Sequence, residues 1–75
     1  MYNIKLEEKG QINIATNRYY ANMLGITEEY VGKVLNGKLS AKTPVVKGII
    51  SLAYNIPLGD YKMNELIDRH FKKVS

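Results

Sequence analysis

The sequence contains no cysteine, no tryptophan and a single histidine. Without cysteine the chain can form neither a disulfide framework nor a thiolate zinc site, and His70 alone cannot supply the several imidazoles of a histidine-bound metal centre. No run approaches the roughly 18 to 20 apolar residues of a membrane span, and the first residues lack the apolar block of a signal peptide. These absences predict a cytoplasmic protein with no metal and no membrane partner.

The chain is also short, with 75 residues of which 45% are hydrophobic and 24% charged. A chain of this size rarely holds a second core, and the sequence has no internal repeat, low-complexity tract or linker, so we expect residues 1–75 to form one domain. Such a domain buries only about 60 to 65% of the surface that its unfolded chain exposes. Its stability is therefore expected to come from close helix packing or from a dimer interface.

Acidic residues are missing from the whole stretch between Tyr30 and Gly59, although the chain has a formal net charge of only +4. A one-sided distribution of charge is typical of a surface that faces phosphate groups, and the alternative is an ordinary solvated face. The stretch carries four lysines, which are Lys33, Lys38, Lys42 and Lys47.

The first residues alternate between apolar and polar side chains, which is the pattern of a strand. The alternation covers Tyr2–Leu6 and returns over Gln11–Ile14. Between these segments, Glu7–Gly10 forms a polar connection whose glycine tolerates the positive φ that hairpin loops need. The pattern predicts a short β-hairpin that pairs the two segments. The alternative is a first helix over Met1–Lys9, which Leu6 and the residues after it would tolerate.

Two short helices are predicted next. Thr16 offers a hydroxyl N-cap for a helix over Asn17–Leu24, which Gly25 ends. Thr27 caps a second helix whose first turn carries two acidic residues, as the helix dipole favours. This helix ends at Asn36–Gly37, two residues suited to a left-handed C-cap. Its buried stripe is expected to be Val31, Val34 and Leu35.

Two further helices complete the prediction. Thr43 and Pro44 combine an N-cap hydroxyl with a proline at the first helical position, and this helix should run to about Tyr54. Asp60 is expected to cap a last helix over about residues 61–73. The fold class is therefore mainly α, a compact domain of four to five helices with the short β-hairpin in place of the first helix. The expected inner faces are Val46, Ile49, Ile50 and Ala53 on the third helix, and Met63, Leu66, Ile67, His70 and Phe71 on the last.

The two short helices and the turn between them have the spacing of a helix-turn-helix over residues 17–37. Ala21 is small enough to lie where the helices cross, Gly25 allows the turn at positive φ, and Ile26 fills the space beneath the turn. A second helix held in this way presents its opposite face to solvent. The major groove of DNA is wide enough to admit that face.

Residues 21–38, with the sequence ANMLGITEEYVGKVLNGK, resemble the lambda-repressor-like (Cro-like) family of bacterial and phage DNA-binding domains. The resemblance covers about residues 17–56 and depends mainly on the LGIT turn and the later LNGK segment. It implies a duplex-DNA-binding transcriptional regulator, most simply a small repressor of a phage or mobile element. Such a protein acts as a homodimer that occludes an operator.

The resemblance also implies which residues contact bases. The two glutamates among them depart from the family pattern, because carboxylates are repelled by the phosphates that flank the groove. One of the two can accept a hydrogen bond from cytosine N4, while the other suits the positive end of the helix dipole. The candidates for base contacts are Glu28, Glu29, Tyr30 and Lys33.

A second set of residues is expected to contact phosphates. In the family, the residue matching Asn17 commonly touches a phosphate and braces the recognition helix, and the loop matching residues 36–38 holds phosphate through backbone amides and polar groups. We add two lysines from the acid-free stretch. The candidates for phosphate contacts are Asn17, Asn36, Gly37, Lys38, Lys42 and Lys47.

The sequence gives no sign of catalysis. The acid pairs Glu7–Glu8 and Glu28–Glu29 are adjacent residues, which diverge by about 100° on a helix and so do not cooperate. No glycine-rich phosphate loop is present. We therefore expect no enzyme activity, no cofactor and no small-molecule ligand.

The last helix carries an apolar stripe of which part closes the core and the rest is a candidate homodimer interface. The double glutamate favours an alternative function, a protein-interaction module of the antitoxin or phage-encoded inhibitor type that keeps the scaffold but binds a protein. Tyr30 is a candidate for contact with either partner. The dimer-interface candidates are Met63, Leu66, Ile67 and Phe71.

Overall fold

Four α-helices and a two-stranded antiparallel sheet are formed by residues 1–74, which the computed structural model describes. Two short 3-10 helices precede the first α-helix, over Leu6–Glu8 and Gly10–Ile14. The predicted mainly α fold with a short N-terminal strand is confirmed. The main elements are β1 (Tyr2–Ile4), α1 (Asn17–Leu24), α2 (Glu28–Leu35), α3 (Thr43–Tyr54), α4 (Met63–His70) and β2 (Phe71–Lys73).

The partner predicted for β1 is wrong. The strand pairs with β2 at the other end of the chain, with Ile4 opposite Phe71, whereas Gln11–Ile14 lies in the second 3-10 helix. Burial explains the choice, because Ile4 and Phe71 are both buried in the core while Ile14 is 71% exposed. The alternative helix over Met1–Lys9 does not form.

The other edge of β1 meets the loop that precedes α3. The N–H of Tyr2 donates to the carbonyl of Ala41 and the N–H of Ala41 donates to the carbonyl of Tyr2, both at 2.8 Å. The hydroxyl of Ser40 donates to Oδ1 of Asn3. The N-terminal strand therefore lies between the C-terminal strand and the loop that carries two of the lysines, Lys38 and Lys42.

The predicted bounds of α1 and α2 are confirmed, and so are their N-caps. Oγ1 of Thr16 accepts a hydrogen bond from the N–H of Tyr19, and Oγ1 of Thr27 accepts one from the N–H of Tyr30, each at 3.1 Å. The predicted N-cap of α3 is wrong: Thr43 already belongs to the first turn of the helix. Lys42 takes the capping position and makes no side-chain cap, so Pro44 in the first turn is what favours the start of α3.

The last helix is shorter than predicted, since α4 begins at Met63 and ends at His70 rather than covering residues 61–73. Oδ1 of Asp60 accepts from the N–H of Lys62 at 2.8 Å, so this side chain closes the turn before the helix instead of capping it. At the other end the backbone becomes extended at Phe71 and enters β2.

The last residue of α4, His70, is buried, and its ring makes two hydrogen bonds. Nδ1 must carry the hydrogen, because its partner is the carbonyl of Glu8, which can only accept. Nε2 lies 2.5 Å from the hydroxyl of Tyr54 and accepts from it when the imidazole is neutral. The ring thus joins the first 3-10 helix, α3 and α4. The residues that follow it pair with β1.

The core lies between the four helices. α1 and α3 pack so closely there that a Cβ added to Gly48 of α3 would lie 2.5 Å from Cδ2 of Leu24 of α1. The expected inner face of α3 is confirmed for Val46, Ile49 and Ile50, while Ala53 is half-buried. The other buried apolar side chains are Ile4, Ile12, Tyr20, Ala21, Val31, Val34, Leu35, Ala41, Met63, Leu66, Ile67 and Phe71.

Candidate nucleic-acid interface

The turn between α1 and α2 has the geometry that its sequence predicts. Gly25 ends α1 at a φ of +70°, and the N–H of Ile26 donates to the carbonyl of Ala21 at 3.1 Å. Ala21 is buried where the two helices meet, and Ile26 is half-buried under the turn. The turn therefore sets α2 across α1 with one face against the core.

The exposed side of α2 is a narrow strip. Val31, Val34 and Leu35 are buried and form the inner face of α2. Successive residues of a helix are about 100° apart, so the direction opposite to this inner face lies between the side chains of Glu29 and Lys33. We call Glu29, Lys33 and Asn36, all exposed, the exposed strip. This strip is the part of α2 that another molecule can reach most directly.

The N-terminus of α1 borders one side of the exposed strip. The side-chain amide of Asn17 lies against Gly32, where an added Cβ would come within 3.2 Å of its Nδ2. Next to it, Nε of Arg18 donates to Oε1 of Glu28 at 3.1 Å. The side chain of Asn17 therefore lies close to α2, the helix that the resemblance expects it to brace.

Arg18 is a residue that the sequence reasoning missed. The available signal was its position beside Asn17 in the first turn of α1, since a helix-turn-helix brings that turn close to the second helix, where Glu28 carries the opposite charge. Both side chains are more than half exposed, so the pair contributes only about 0 to 1 kcal/mol to stability. Breaking it to contact another charge is therefore inexpensive.

The N-terminus of α3 borders the other side of the exposed strip. Tyr30 is half-buried and lines a shallow depression of about 480 Å³. The same depression is lined by Lys42, so the structure brings a candidate base contact and a candidate phosphate contact together. Its other walls are Ile26, Thr27 and Val45.

The two bordering helix ends share an electrostatic property. Neither α1 nor α3 has an acidic residue in its first turn, so the partial positive charge of each N-terminus is not compensated there. Arg18 and Lys42 add full positive charges at the same two ends. The exposed strip is therefore bordered on both sides by sites that attract anions.

The acidic residues of α2 are accompanied by cations. Glu28 is paired with Arg18, and Oε2 of Glu29 lies 4.0 Å from Nζ of Lys33, one turn further along the helix. These contacts offset part of the repulsion that two carboxylates at this position would otherwise exert on phosphates. They also separate the two glutamates, because Glu28 lies on the side of α1 and Glu29 in the exposed strip.

The loop after α2 does not offer the backbone amides that the resemblance implies. The N–H of Gly37 donates to the carbonyl of Val34 at 3.1 Å and the N–H of Lys38 to that of Lys33 at 2.8 Å. With Gly37 at a φ of +77°, this is a Schellman motif, in which those amides close the helix. The expectation that they hold a phosphate is therefore corrected, and the exposed side chains of Asn36 and Lys38 remain as candidates.

Lys47 is not brought beside α2. It is half-buried and borders a different groove, of about 460 Å³, with Leu58 and the first residues of α3. On the helix it points about 160° away from Val45, which faces Tyr30. The structure thus separates Lys47 from the other phosphate candidates.

The dimer-interface candidates on the last helix are buried inside the single chain. Their exposed fractions are 3% for Met63, 7% for Leu66, 3% for Ile67 and 2% for Phe71. The reason is that a domain this small needs the whole apolar face of α4 and the start of β2 to close its core. A homodimer would have to use other side chains.

No group of three or more histidine, aspartate or glutamate side chains is gathered at a metal-binding distance within residues 1–74. In the same part of the chain, no helix has the length and apolar character needed to cross a lipid bilayer. Comparisons with protein-family models, with curated proteins and with solved structures gave no match to this chain.

Proposed function

We propose that this protein binds duplex DNA by inserting α2 into the major groove, and that it regulates transcription as a small Cro-like repressor of a phage or mobile element. The observation that carries the proposal is the exposed strip of α2, bordered on both sides by acid-free helix N-termini with a cation at each. The proposed site of action is the cytoplasm of a bacterial host, where such DNA lies.

The proposal fits the dimensions of DNA. A helix with its side chains is about 10 to 12 Å across, and the major groove is about 12 Å wide. A phosphate backbone runs along each edge of the groove, so the N-termini of α1 and α3 would each meet one backbone. Asn17 and Arg18 would contact phosphates on one edge, and Lys42 on the other, with Lys38 as a further contact at the end of α2.

A repressor of this kind needs only to occupy its operator, because a bound protein excludes polymerase from an overlapping promoter. The proposed homodimer would place two copies of α2 in successive major grooves, about 34 Å apart. The domain measures 29 Å along its longest axis, which is shorter than that repeat, so two copies have room to lie side by side on successive grooves. The dimer contacts would lie outside the buried apolar face of α4.

The alternative of a protein-interaction module loses the observations that favoured it. Its double glutamate is paired with Arg18 and Lys33, and the apolar face of α4 that would have bound a partner is in the core. These observations favour DNA binding over the protein-interaction module.

The test is fluorescence anisotropy of the purified protein with a labelled random-sequence duplex over a range of salt concentrations. Two double variants are compared, Lys38→Glu with Lys42→Glu, and Lys62→Glu with Arg69→Glu on the side of α4. Each lowers the formal net charge from +4 to zero, so the two differ only in where the charge is changed. Circular dichroism checks that both remain folded.

We expect wild-type binding that weakens steeply with salt, because neutralised phosphates release counterions. The Lys38/Lys42 variant should lose most of this binding, and its log–log salt slope should fall by about 2. The Lys62/Arg69 variant should keep a slope close to that of wild type. Equal losses in the two variants would contradict the proposed surface, and no wild-type binding at low salt would overturn DNA binding altogether.

A further inference from the structure

The two glutamates of α2 differ in their surroundings. Glu28 lies against α1 and is held by Arg18 at 3.1 Å, whereas Glu29 is 80% exposed in the middle of the exposed strip. Its ion-pair partner is Lys33, whose Nζ is 4.0 Å from Oε2 of Glu29. A carboxylate and an ammonium group thus project side by side from the part of α2 that lies farthest from both bordering helix ends.

We propose, on the basis of the proposed function, that Glu29 and Lys33 act together to recognise a cytosine–guanine base pair in the major groove. In that groove cytosine presents the N4 amino group as a donor, and guanine presents O6 and N7 as acceptors. The carboxylate of Glu29 accepts from cytosine N4. The ammonium group of Lys33 donates to guanine O6 and N7.

The spacing of the two charges suits a single base pair. Cytosine N4 and guanine O6 are hydrogen-bonded to each other and so lie about 2.9 Å apart. The oxygen and nitrogen of Glu29 and Lys33 are 4.0 Å apart in the protein, which lets each of them meet its own partner with small side-chain rotations. Their existing contact is exposed and weak, so little is lost when the base pair takes its place.

The same pair of charges suits an adenine–thymine pair poorly. The edge of that base pair runs acceptor, donor, acceptor and then the thymine methyl group, so the single donor lies between two acceptors. A carboxylate placed on adenine N6 faces acceptors on both sides. One ammonium group cannot cover both of them, and the methyl group has no apolar partner among these two side chains.

The position of Glu29 also removes the electrostatic objection to a carboxylate in the groove. It lies in the exposed strip, away from the helix ends that would meet the two phosphate backbones, and Lys33 accompanies it. Glu28 lies beside one of those ends, so its charge opposes the nearby phosphates and contributes no base preference.

The test is selection of bound sites from a random duplex library with wild type and four single variants. Glu29→Gln replaces the carboxylate by an amide that can contact adenine N6 and N7 together. Glu28→Gln makes the same chemical change beside Arg18, and Glu65→Gln makes it on α4 as a matched control. Melting temperatures check folding, and Lys33→Gln provides a second variant of the proposed pair.

We expect the wild-type site to contain a cytosine–guanine pair whose replacement by adenine–thymine weakens binding about tenfold or more. At this position Glu29→Gln should change the preferred pair to adenine–thymine, and Lys33→Gln should lose the preference. Glu65→Gln should select the wild-type site with wild-type affinity. Glu28→Gln should select the same site and bind it more tightly.

Two results would overturn the inference while leaving DNA binding intact. One is a selected site whose base preferences are the same for wild type and Glu29→Gln. The other is a change of preferred base in Glu28→Gln instead of Glu29→Gln. A failure of wild type to enrich any sequence, together with the absence of salt-dependent binding, would instead overturn the proposed function and the inference with it.

Discussion

At the scale of single residues, Tyr20 joins α1 to the segment before it. Its side chain is fully buried, and its hydroxyl donates to the carbonyl of Ile12 at 2.8 Å. Burial, with a smaller contribution from the neighbouring Tyr19, raises the pKa of Tyr20 from 10.0 to about 12. The folded chain therefore keeps a proton on this side chain at pH values where the unfolded chain has lost it.

We expect Tyr20→Phe to lower the free energy of unfolding by about 1 to 2 kcal/mol near pH 8, because the carbonyl of Ile12 is left unpaired in the core. This difference in unfolding free energy becomes smaller in alkali. A raised pKa in the folded state stabilises the fold below pH 10, and this contribution falls by about 1.4 kcal/mol per unit as the pH rises from 10 to 12.

Phenylalanine has no such titration, so the difference between the two proteins should shrink as the pH rises. Urea unfolding of both proteins at pH 8 and pH 11 measures this difference. A difference of the same size at both pH values would contradict the raised pKa.

At the scale of elements, the threonines at helix starts differ in what they do. Thr16 and Thr27 cap α1 and α2 through their hydroxyls, whereas Thr43 lies inside the first turn of α3 and caps nothing. All three are exposed and precede or begin a helix, so the local sequence does not distinguish them. The distinction depends on where the backbone first becomes helical.

We expect Thr27→Ala to lower the free energy of unfolding by about 1 kcal/mol, because the N–H of Tyr30 loses its acceptor. Thr43→Ala should change it by less than about 0.5 kcal/mol, as is usual for an exposed side chain without a special contact. Thermal unfolding of the two variants makes the comparison. Equal losses would show that Thr43 caps α3 after all.

The pairing of β1 is also decided at this scale. The alternation of residues 2–6 predicts a strand, but it does not predict which segment of the chain pairs with that strand. Two segments could have been chosen, Gln11–Ile14 and the C-terminal residues, and the latter also continue a helical apolar spacing. The contact between Ile4 and Phe71 in the core selects the C-terminal segment.

At the scale of the whole molecule, β1 connects the two ends of the chain to the proposed DNA-binding surface. It pairs with β2 on one edge and with Ala41 on the other, and Lys42 follows Ala41 directly at the start of α3. The N-terminal strand therefore supports the helix end that borders the exposed strip of α2.

We expect Ile4→Ala to lower the free energy of unfolding by about 2 to 4 kcal/mol, because it opens a cavity beside Phe71. This is a large share of the about 5 kcal/mol that a small domain has in total. Amide hydrogen exchange should also become faster at Tyr2 and Ala41, whose backbones are hydrogen-bonded to each other along one edge of β1.

Leu6→Ala is the matched control, since Leu6 follows the strand but is 55% exposed. Its expected loss is below about 1 kcal/mol. Chemical denaturation of both variants measures the two losses, and an equally small loss for Ile4→Ala would contradict the central role of β1.

Some features of the candidate site could be predicted from neighbouring residues, and others depend on tertiary contacts. The turn, both of its helices and their caps follow from neighbouring residues, and Glu29, Lys33 and Asn36 could be assigned to an exposed face from helical periodicity. The salt bridge of Arg18, the separation of Lys47 and the use of the amides of residues 37–38 within the helix cap could not. Each of these features depends on how two elements pack against each other, and a local sequence pattern does not predict that packing.

The sequence by itself determined the helix-turn-helix, because its signals are local: a capping hydroxyl, a glycine at positive φ and apolar residues at helical spacing act within one or two turns of chain. The tertiary structure alone decided the partner of β1, the end of α4 at His70 and the burial of the whole apolar face of the last helix in the core of one chain. A strand can pair with any segment, and an apolar face can be covered by the core or by a second copy. The choice depends on which arrangement buries the most apolar surface and satisfies the most polar groups, and both quantities belong to the whole molecule.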